Sequence, residues 1–429
     1  MKNWNPVTIF LPAALFVGLC LQAAAAQQTF TAPRQEKLLN GLKILMWSDT
    51  KTDKVSVKIR IHSGSAFDPQ GREGVMQMLA DNIFPTETTR DFFKEDLGGS
   101  LEVVTTYDYI QINASSKPEG FLTMLETLST ALSNPTIDKE TTAKLRTTLL
   151  AKVTAMEADP VYVADQAVAK RLFGTYPYGR PRIGTAQSLN KIVFADLIDA
   201  KERFLTADNA TITISGNFDA ALGYRAIRRL FGSWLKADKK VPSTFRQPDE
   251  PDKSLLTIEM PGLTKSYLRR ASIAPGRQDL AYYAAQAFIF IQREERCPNT
   301  GTYQTYLLKG TYIYREDKDI SKGTELPFYS GPCQLILKKG DGTLTIPNYS
   351  QDELDRAKTK IMSNIQSQVS TPDGLADLWL DIDTYRLASP DDELKKVSSV
   401  TLADIKKAAE RLSSSPTTSI LVTAAPKSN

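Results

Sequence analysis

Residues 54–84 read KVSVKIRIHSGSAFDPQGREGVMQMLADNIF and join three patterns in one run. From Lys54 to His62 apolar and polar side chains alternate, the period of a half-buried strand. Gly64, Gly71 and Gly74 then punctuate a loop. From Gly74 to Phe84 the apolar residues recur at helical spacing.

Outward from this unit, the same two periods repeat. Leu101 to Ser115 alternates again, and helical patterns run from Gly120 to Leu132 and from Asp138 to Met156. Asp159-Pro160 marks a helix end, because the residue before a proline is pushed out of the helical region. Thr211 to Ser215 reads as a closing strand. In the second half, Leu255 to Glu259, Tyr267 to Ile273, Gly310 to Arg315 and Cys333 to Lys338 read as strands. Leu280 to Glu295 and Gln351 to Ser370 read as helices, and Thr418 to Val422 closes the half as a strand. Lysine, proline, aspartate and glutamine crowd together at 237–253, the composition of an exposed linker. The expectation is an α+β fold of two similar lobes, 27–236 and 254–429, each an antiparallel sheet packed with helices.

Composition narrows the function. The net charge of +4 over 429 residues points neither to a nucleic-acid footprint nor to a polybasic membrane patch. At the N-terminus, Lys2, the apolar run Ile9 to Leu21 and Ala23 to Ala26 form a signal-peptide pattern over residues 1–26. The run is short for a membrane span, no later stretch replaces it, and Leu19 before Cys20 disfavours lipid attachment. An exported protein follows, with the periplasm as the expected compartment. After processing, Cys297 and Cys333 remain; they either pair in an oxidising compartment or stay separate thiols. With one histidine and two such cysteines, a cysteine–histidine zinc cluster is out of reach.

Several segments, in order, resemble the pitrilysin/insulinase metallopeptidases, the family that includes the mitochondrial processing peptidase. They are Asn40-Gly41-Leu42-Lys43, Gly64-Ser65-Ala66-Phe67-Asp68 with Gly71 and Gly74, and Leu97-Gly98-Gly99-Ser100 with Thr105 and Asp108. Asn134-Pro135, Tyr176-Pro177-Tyr178-Gly179-Arg180-Pro181 with Gly184-Thr185, and Asn209-Ala210 to Gly216-Asn217-Phe218 complete the series. The resemblance is strong in the first half and weak in the second. It implies a clam-like chamber whose halves each contain two such lobes, this chain supplying one half. It also implies a zinc site on the helix after the glycine-rich loop, written His-x-x-Glu-His. Two imidazoles at i and i+4 share a helix face and bind the metal, and the glutamate takes a proton from its water.

Here that helix offers Gln77 and Asp81 at the histidine positions and Ala80 at the base, while Lys152 (or Ala151) stands where a later helix should give the third ligand. The zinc expected in the family thus loses its ligands. Asp81, Glu157 and Asp159 could instead hold a hard cation, or be surface and capping carboxylates. His62, beside Ser63-Gly64-Ser65, reads as a surface or hydrogen-bonded residue rather than a catalyst, and no Gly-x-Ser-x-Gly motif is present. The resemblance further implies a substrate-holding arginine and tyrosine in the second half. Tyr312 or Tyr314 matches the tyrosine, but the segment before it, Thr302 to Lys309, expected as a helix, has no arginine and puts Leu308 near that place. Tyr303, Tyr306, Tyr312 and Tyr314 either line a cavity or simply pack. The leading expectation is a non-catalytic homologue, either the degenerate subunit beside an active family member or a self-dimer that binds unfolded peptides. The alternatives are a hydrolase with a carboxylate-bound metal and a structural assembly protein of the envelope.

Overall fold

The computed structural model describes residues 30–237, 245–296, 301–319, 337–338, 344–345 and 348–425. The leader pattern, Cys297 and Cys333 lie outside the described residues. The first sheet contains β1 (Arg34–Lys37), β2 (Lys43–Ser48), β3 (Val55–Ile61), β4 (Ser100–Thr105), β5 (Ile110–Ser116) and β6 (Ala210–Gly216), in the order β1-β2-β6-β3-β5-β4. The second contains β7 (Leu255–Met260), β8 (Lys265–Pro275), β9 (Gly301–Thr305), β10 (Lys309–Asp319) and β13 (Thr417–Ala424), in the order β7-β13-β8-β10-β9. Two short strands, β11 (Leu337–Lys338) and β12 (Leu344–Thr345), pair with each other.

Set β1 aside and the two sheets have the same strand order. They also share one departure from the antiparallel expectation. The closing strand, β6 or β13, runs parallel to the opening strand and antiparallel to the next. The opening pair runs in opposite directions with a gap between, so any strand that fills the gap must lie parallel to one of them. This repeat of order and sense supports a duplicated unit.

Helices cover the sheets. The first half has α1 (Val75–Ile83), α2 (Glu87–Glu95), α3 (Phe121–Ser133), α4 (Lys139–Glu157), α5 (Pro160–Phe173), α6 (Ala186–Leu189), α7 (Phe194–Phe204) and α8 (Ala220–Phe231). The second has α9 (Tyr282–Phe290), extended by a π-helical turn over Ile291–Arg296, then α10 (Gln351–Gln368), α11 (Pro372–Thr384), α12 (Pro390–Ser399) and α13 (Leu402–Ser414). Asp138 caps α4 by accepting the Thr141 N–H. Asp159 accepts the Val161 N–H, and Pro160 occupies the first turn of α5, so Asp159-Pro160 starts a helix as well as ending one. Among the described residues no helix is long and apolar enough to cross a membrane.

Two sequence expectations are corrected. Leu101 to Ser115 is a hairpin, with β4 and β5 joined by a turn in which Thr106 Oγ1 accepts the Asp108 and Tyr109 N–H groups. Thr302 to Lys309 is not a helix. It forms most of β9 and a tight turn into β10, closed by Tyr306 N–H to Lys309 O at 3.0 Å. Thr302, Tyr303 and Thr305 are β-branched or aromatic and suit a pleated edge better than a helix.

The lobes exchange helices. Ala164, Val168 and Leu172 of α5 pack against Ala271, Ile420 and Val422 of the second sheet. In return, α11 lies on the first sheet, where Asp377 meets Lys58 at 2.6 Å and Asp381 meets Arg60 at 2.6 Å.

Candidate functional site

The glycine-rich loop after β3 sets the position of α1. Asp68 Oδ2 accepts the Gly74 N–H at 2.8 Å and Oδ1 the Met76 N–H at 2.7 Å, capping the helix from outside its first turn. Burial outweighs those bonds and raises the Asp68 pKa to about 7. Gly74 sits at φ +105°, and a Cβ there would come within 2.9 Å of Ile183 O. Gly184, at φ +83°, would put a Cβ 2.2 Å from Glu73 O. The two segments therefore cross through a pair of facing glycines, which accounts for both residues in the quoted motifs.

On α1, Gln77 and Asp81 share one half-buried face, one turn apart, and Gln77 Nε2 donates to Asp81 Oδ1 at 2.9 Å. Burial raises the Asp81 pKa; the Gln77 bond and the charges of Lys152 and Arg90 oppose it. Ala80 is fully buried in the core, and Lys152 on α4 is exposed. These residues do not fit zinc. The amide is committed to its neighbour, the base position has no acceptor, and the third position carries a cation where an anion is needed. Asp159 is spent on its cap, and among the described residues no three His, Cys, Asp or Glu side chains converge on one point.

His62 is hydrogen-bonded between the lobes. Its Nδ1 lies 3.1 Å from Thr384 Oγ1 and its Nε2 2.9 Å from Thr211 Oγ1. Burial lowers its pKa to about 4, with Arg60 and Lys43 acting the same way and Asp383 opposing. Tyr312 is buried in the second-lobe core with Tyr282, Tyr283 and Phe288. Tyr314 packs against the same core and donates to Glu316 at 3.1 Å. Tyr303 donates to Pro275 O at 2.5 Å.

Of the tyrosine cluster, Tyr306 lines a cavity of about 520 Å³. The β4–β5 turn, α5 and the β9–β10 turn supply its walls, so it lies between the lobes. Tyr178 and Tyr306 rings lie 4.4 Å apart, and Tyr107 meets both edge-on at 5.5 and 5.1 Å. Asp108 accepts the Tyr178 hydroxyl and the Leu307 N–H, each at 2.9 Å, yet burial raises its pKa to about 6. Tyr162 and Arg182 also line the cavity, as does Met156, one turn beyond Lys152 on α4. Aromatic walls and a cation suit a peptide side chain or terminus. The sequence offers Tyr306 as a cavity residue and gives Asp108 and Tyr178 only within the family resemblance; it does not single out Tyr107, Tyr162 or Arg182. Their shared wall comes from segments far apart in the chain, a turn, a helix and a loop, with no local pattern.

Comparison with known proteins places this geometry. A family model described as insulinase (peptidase family M16) matches residues 43–186. An uncharacterized zinc protease of Rickettsia bellii is 20% identical over 410 residues, covering 90% of this chain and 96% of that protein. The crystal structure of a peptidase M16 inactive domain from Pseudomonas fluorescens superposes with a TM-score of 0.75 at 19% identity, covering 92% of this chain and 99% of that one. The periplasmic protease PqqL from Escherichia coli gives a TM-score of 0.69 at 14% identity over 92% of this chain, which spans 48% of the PqqL chain. At these identities the structural likeness shows the fold alone.

Proposed function

Because residues 43–186 give this chain an insulinase (peptidase family M16) domain, we propose that it is a non-catalytic homologue, one half of a peptide-holding chamber whose partner is an active family member or a second copy of itself. The observation that carries the proposal is the Gln77–Asp81 hydrogen bond at 2.9 Å beside a buried Ala80. A helix face closed on itself in this way offers neither two imidazoles to a metal nor a base to its water. Likeness to an inactive domain and to one half of a longer periplasmic protease supports the same reading. The leader pattern at 1–26 supports export to the periplasm, with 27–236 and 254–429 as the lobes and 237–253 as their linker. The tyrosine-walled cavity is the natural place for a captured peptide side chain.

The test is affinity capture of the tagged chain from its native envelope fraction, followed by elemental analysis and peptide-cleavage assays with and without the recovered partner. The expected result is no zinc in the chain alone, and cleavage only with a partner that carries His-x-x-Glu-His, or peptide binding without cleavage by a self-dimer. Stoichiometric zinc and chelator-sensitive cleavage by the isolated chain would overturn the proposal.

A further inference from the structure

The net charge of +4 conceals an uneven surface. Residues 220–237, which span α8 and the turn after it, contain Arg225, Arg228, Arg229 and Lys236 and no carboxylate. All four are exposed, as is Lys37 at the end of β1. Among the described residues none of these five forms an ion pair. Arg34 on β1 and Arg228 on α8 flank the Tyr224 ring at 5.6 and 5.9 Å, so the edge strand and the helix share one surface.

Two leucines protrude where that surface ends. Leu39 is 106% exposed at the tip of the β1–β2 turn, and Leu235 is 75% exposed just beyond α8. Their neighbours are firmly held. Asn40 Nδ2 donates to Phe231 O at 2.7 Å and to Trp234 O at 3.0 Å, locking the turn to the end of α8. Leu38, Leu42, Phe231 and Trp234 are buried, whereas Leu39 and Leu235 are left exposed at this corner. Cations near a helix C-terminus have a structural reason in the helix dipole. That reason does not extend to Lys37, nor to two leucines left in water on an ordered backbone.

We propose that this corner of the first lobe docks on an anionic lipid surface, with Leu39 and Leu235 entering the headgroup–acyl boundary and Lys37, Arg228, Arg229 and Lys236 meeting lipid phosphates. Asp208, which accepts the Ala237 N–H, and Glu36, paired with Arg34, are carboxylates of the same corner, so the five unpaired cations leave it net positive. Protruding apolar side chains beside such cations match a bilayer better than a nucleic acid, whose phosphates would gain nothing from the leucines. The protein would lie on the membrane without crossing it.

Vesicle co-sedimentation tests the proposal, with phosphatidylcholine vesicles against vesicles containing about one third phosphatidylglycerol. Wild type is compared with Leu39→Ser/Leu235→Ser and with Arg228→Gln/Arg229→Gln; all three share one N-terminus, so differences report this corner. Wild type should bind the anionic vesicles and release them at about 0.5 M salt. Each double variant should bind at least about fivefold more weakly with an unchanged thermal melt. The proposal fails if wild type ignores anionic vesicles, if the variants bind as wild type does, or if the leucine variant abolishes self-association in a protein that never binds lipid.

Discussion

Arg60 on β3 places its guanidinium 2.6 Å from the Asp381 carboxylate on α11, joining the two lobes. The same side chain donates to Gln111 Oε1 at 2.6 Å, and its guanidinium lies 4.0 Å from the Tyr109 ring centre. Lys58 with Asp377 and Lys43 with Asp383, each at 2.6 Å, extend the contact along the sheet. The reverse exchange follows the same logic. Asp165 on α5 meets Arg269 at 2.7 Å and Arg315 at 2.8 Å on the second sheet. Each lobe lends helix-borne aspartates to basic residues on the other's sheet, Asp377, Asp381 and Asp383 along α11 but only Asp165 on α5.

Arg60 is 2% exposed, and its removal takes the close counter-charge from Asp381 while Asp377 keeps Lys58 at 2.6 Å. Arg60→Leu should lower unfolding free energy by about 2–4 kcal/mol in urea titration, and Arg60→Leu/Asp381→Leu should regain more than half of that. A double variant as unstable as the sum of its singles would show that the pair is not coupled.

His62 is the single histidine of the chain, so its ring protons are an unambiguous NMR probe. Its folded pKa of about 4 lies below the ordinary 6.5. The stability this contributes is present above pH 6.5 and is lost as pH falls toward 4, by about 3 kcal/mol. Thr211 and Thr384 also donate to Asp383 and to Leu380 O, so in the neutral ring one hydroxyl must turn its proton to the imidazole. A measured pKa above 6.5 would mean that both hydroxyls keep their other acceptors and the ring is charged.

Asp108 has the opposite sign. Its pKa is raised from 3.8 to about 6, so its contribution is present below pH 4 and is lost as pH rises through 6. Asp108→Asn should lower stability throughout, because the amide cannot accept at both positions that bond Tyr178 and Leu307. It should also remove this declining component between pH 4 and 6. Midpoints against pH for wild type and Asp108→Asn, each in a His62→Gln background, separate the two effects.

Gly74→Ala and Gly184→Ala should each cost about 2–3 kcal/mol, since both combine positive φ with a Cβ pressed on a carbonyl of the other segment. Gly71→Ala is the control: its φ of +79° is similar, but nothing lies within 4 Å of its Cβ. It should cost about 1–2 kcal/mol. Equal losses at all three sites would show that the crossing is not the cause.

Gln77→His/Asp81→His/Lys152→Glu gives this face the ligand types of the family's zinc motif. Zinc binding should appear by elemental analysis and calorimetry, while peptide cleavage stays absent because Ala80 supplies no base. Adding Ala80→Glu puts a carboxylate at a fully buried position and should lower the melting midpoint by at least about 4 °C.

Local pattern alone determined a good deal about this protein. The strand, glycine loop and helix of residues 54–84 follow from periodicity, and the departures Gln77, Ala80, Asp81 and Lys152 from the family's zinc motif are legible without any coordinates. These are short-range properties, set by neighbours within a few residues. Only the tertiary structure decided how β6 and β13 enter their sheets, that Thr302–Lys309 is a hairpin arm, and that α5 and α11 change places. It also decided that His62 and Asp108 titrate in opposite directions, and that Leu39 and Leu235 share a corner with cations from another element. Those outcomes depend on contacts between segments far apart in the chain, and burial, charge pairing and desolvation exist only once those contacts form.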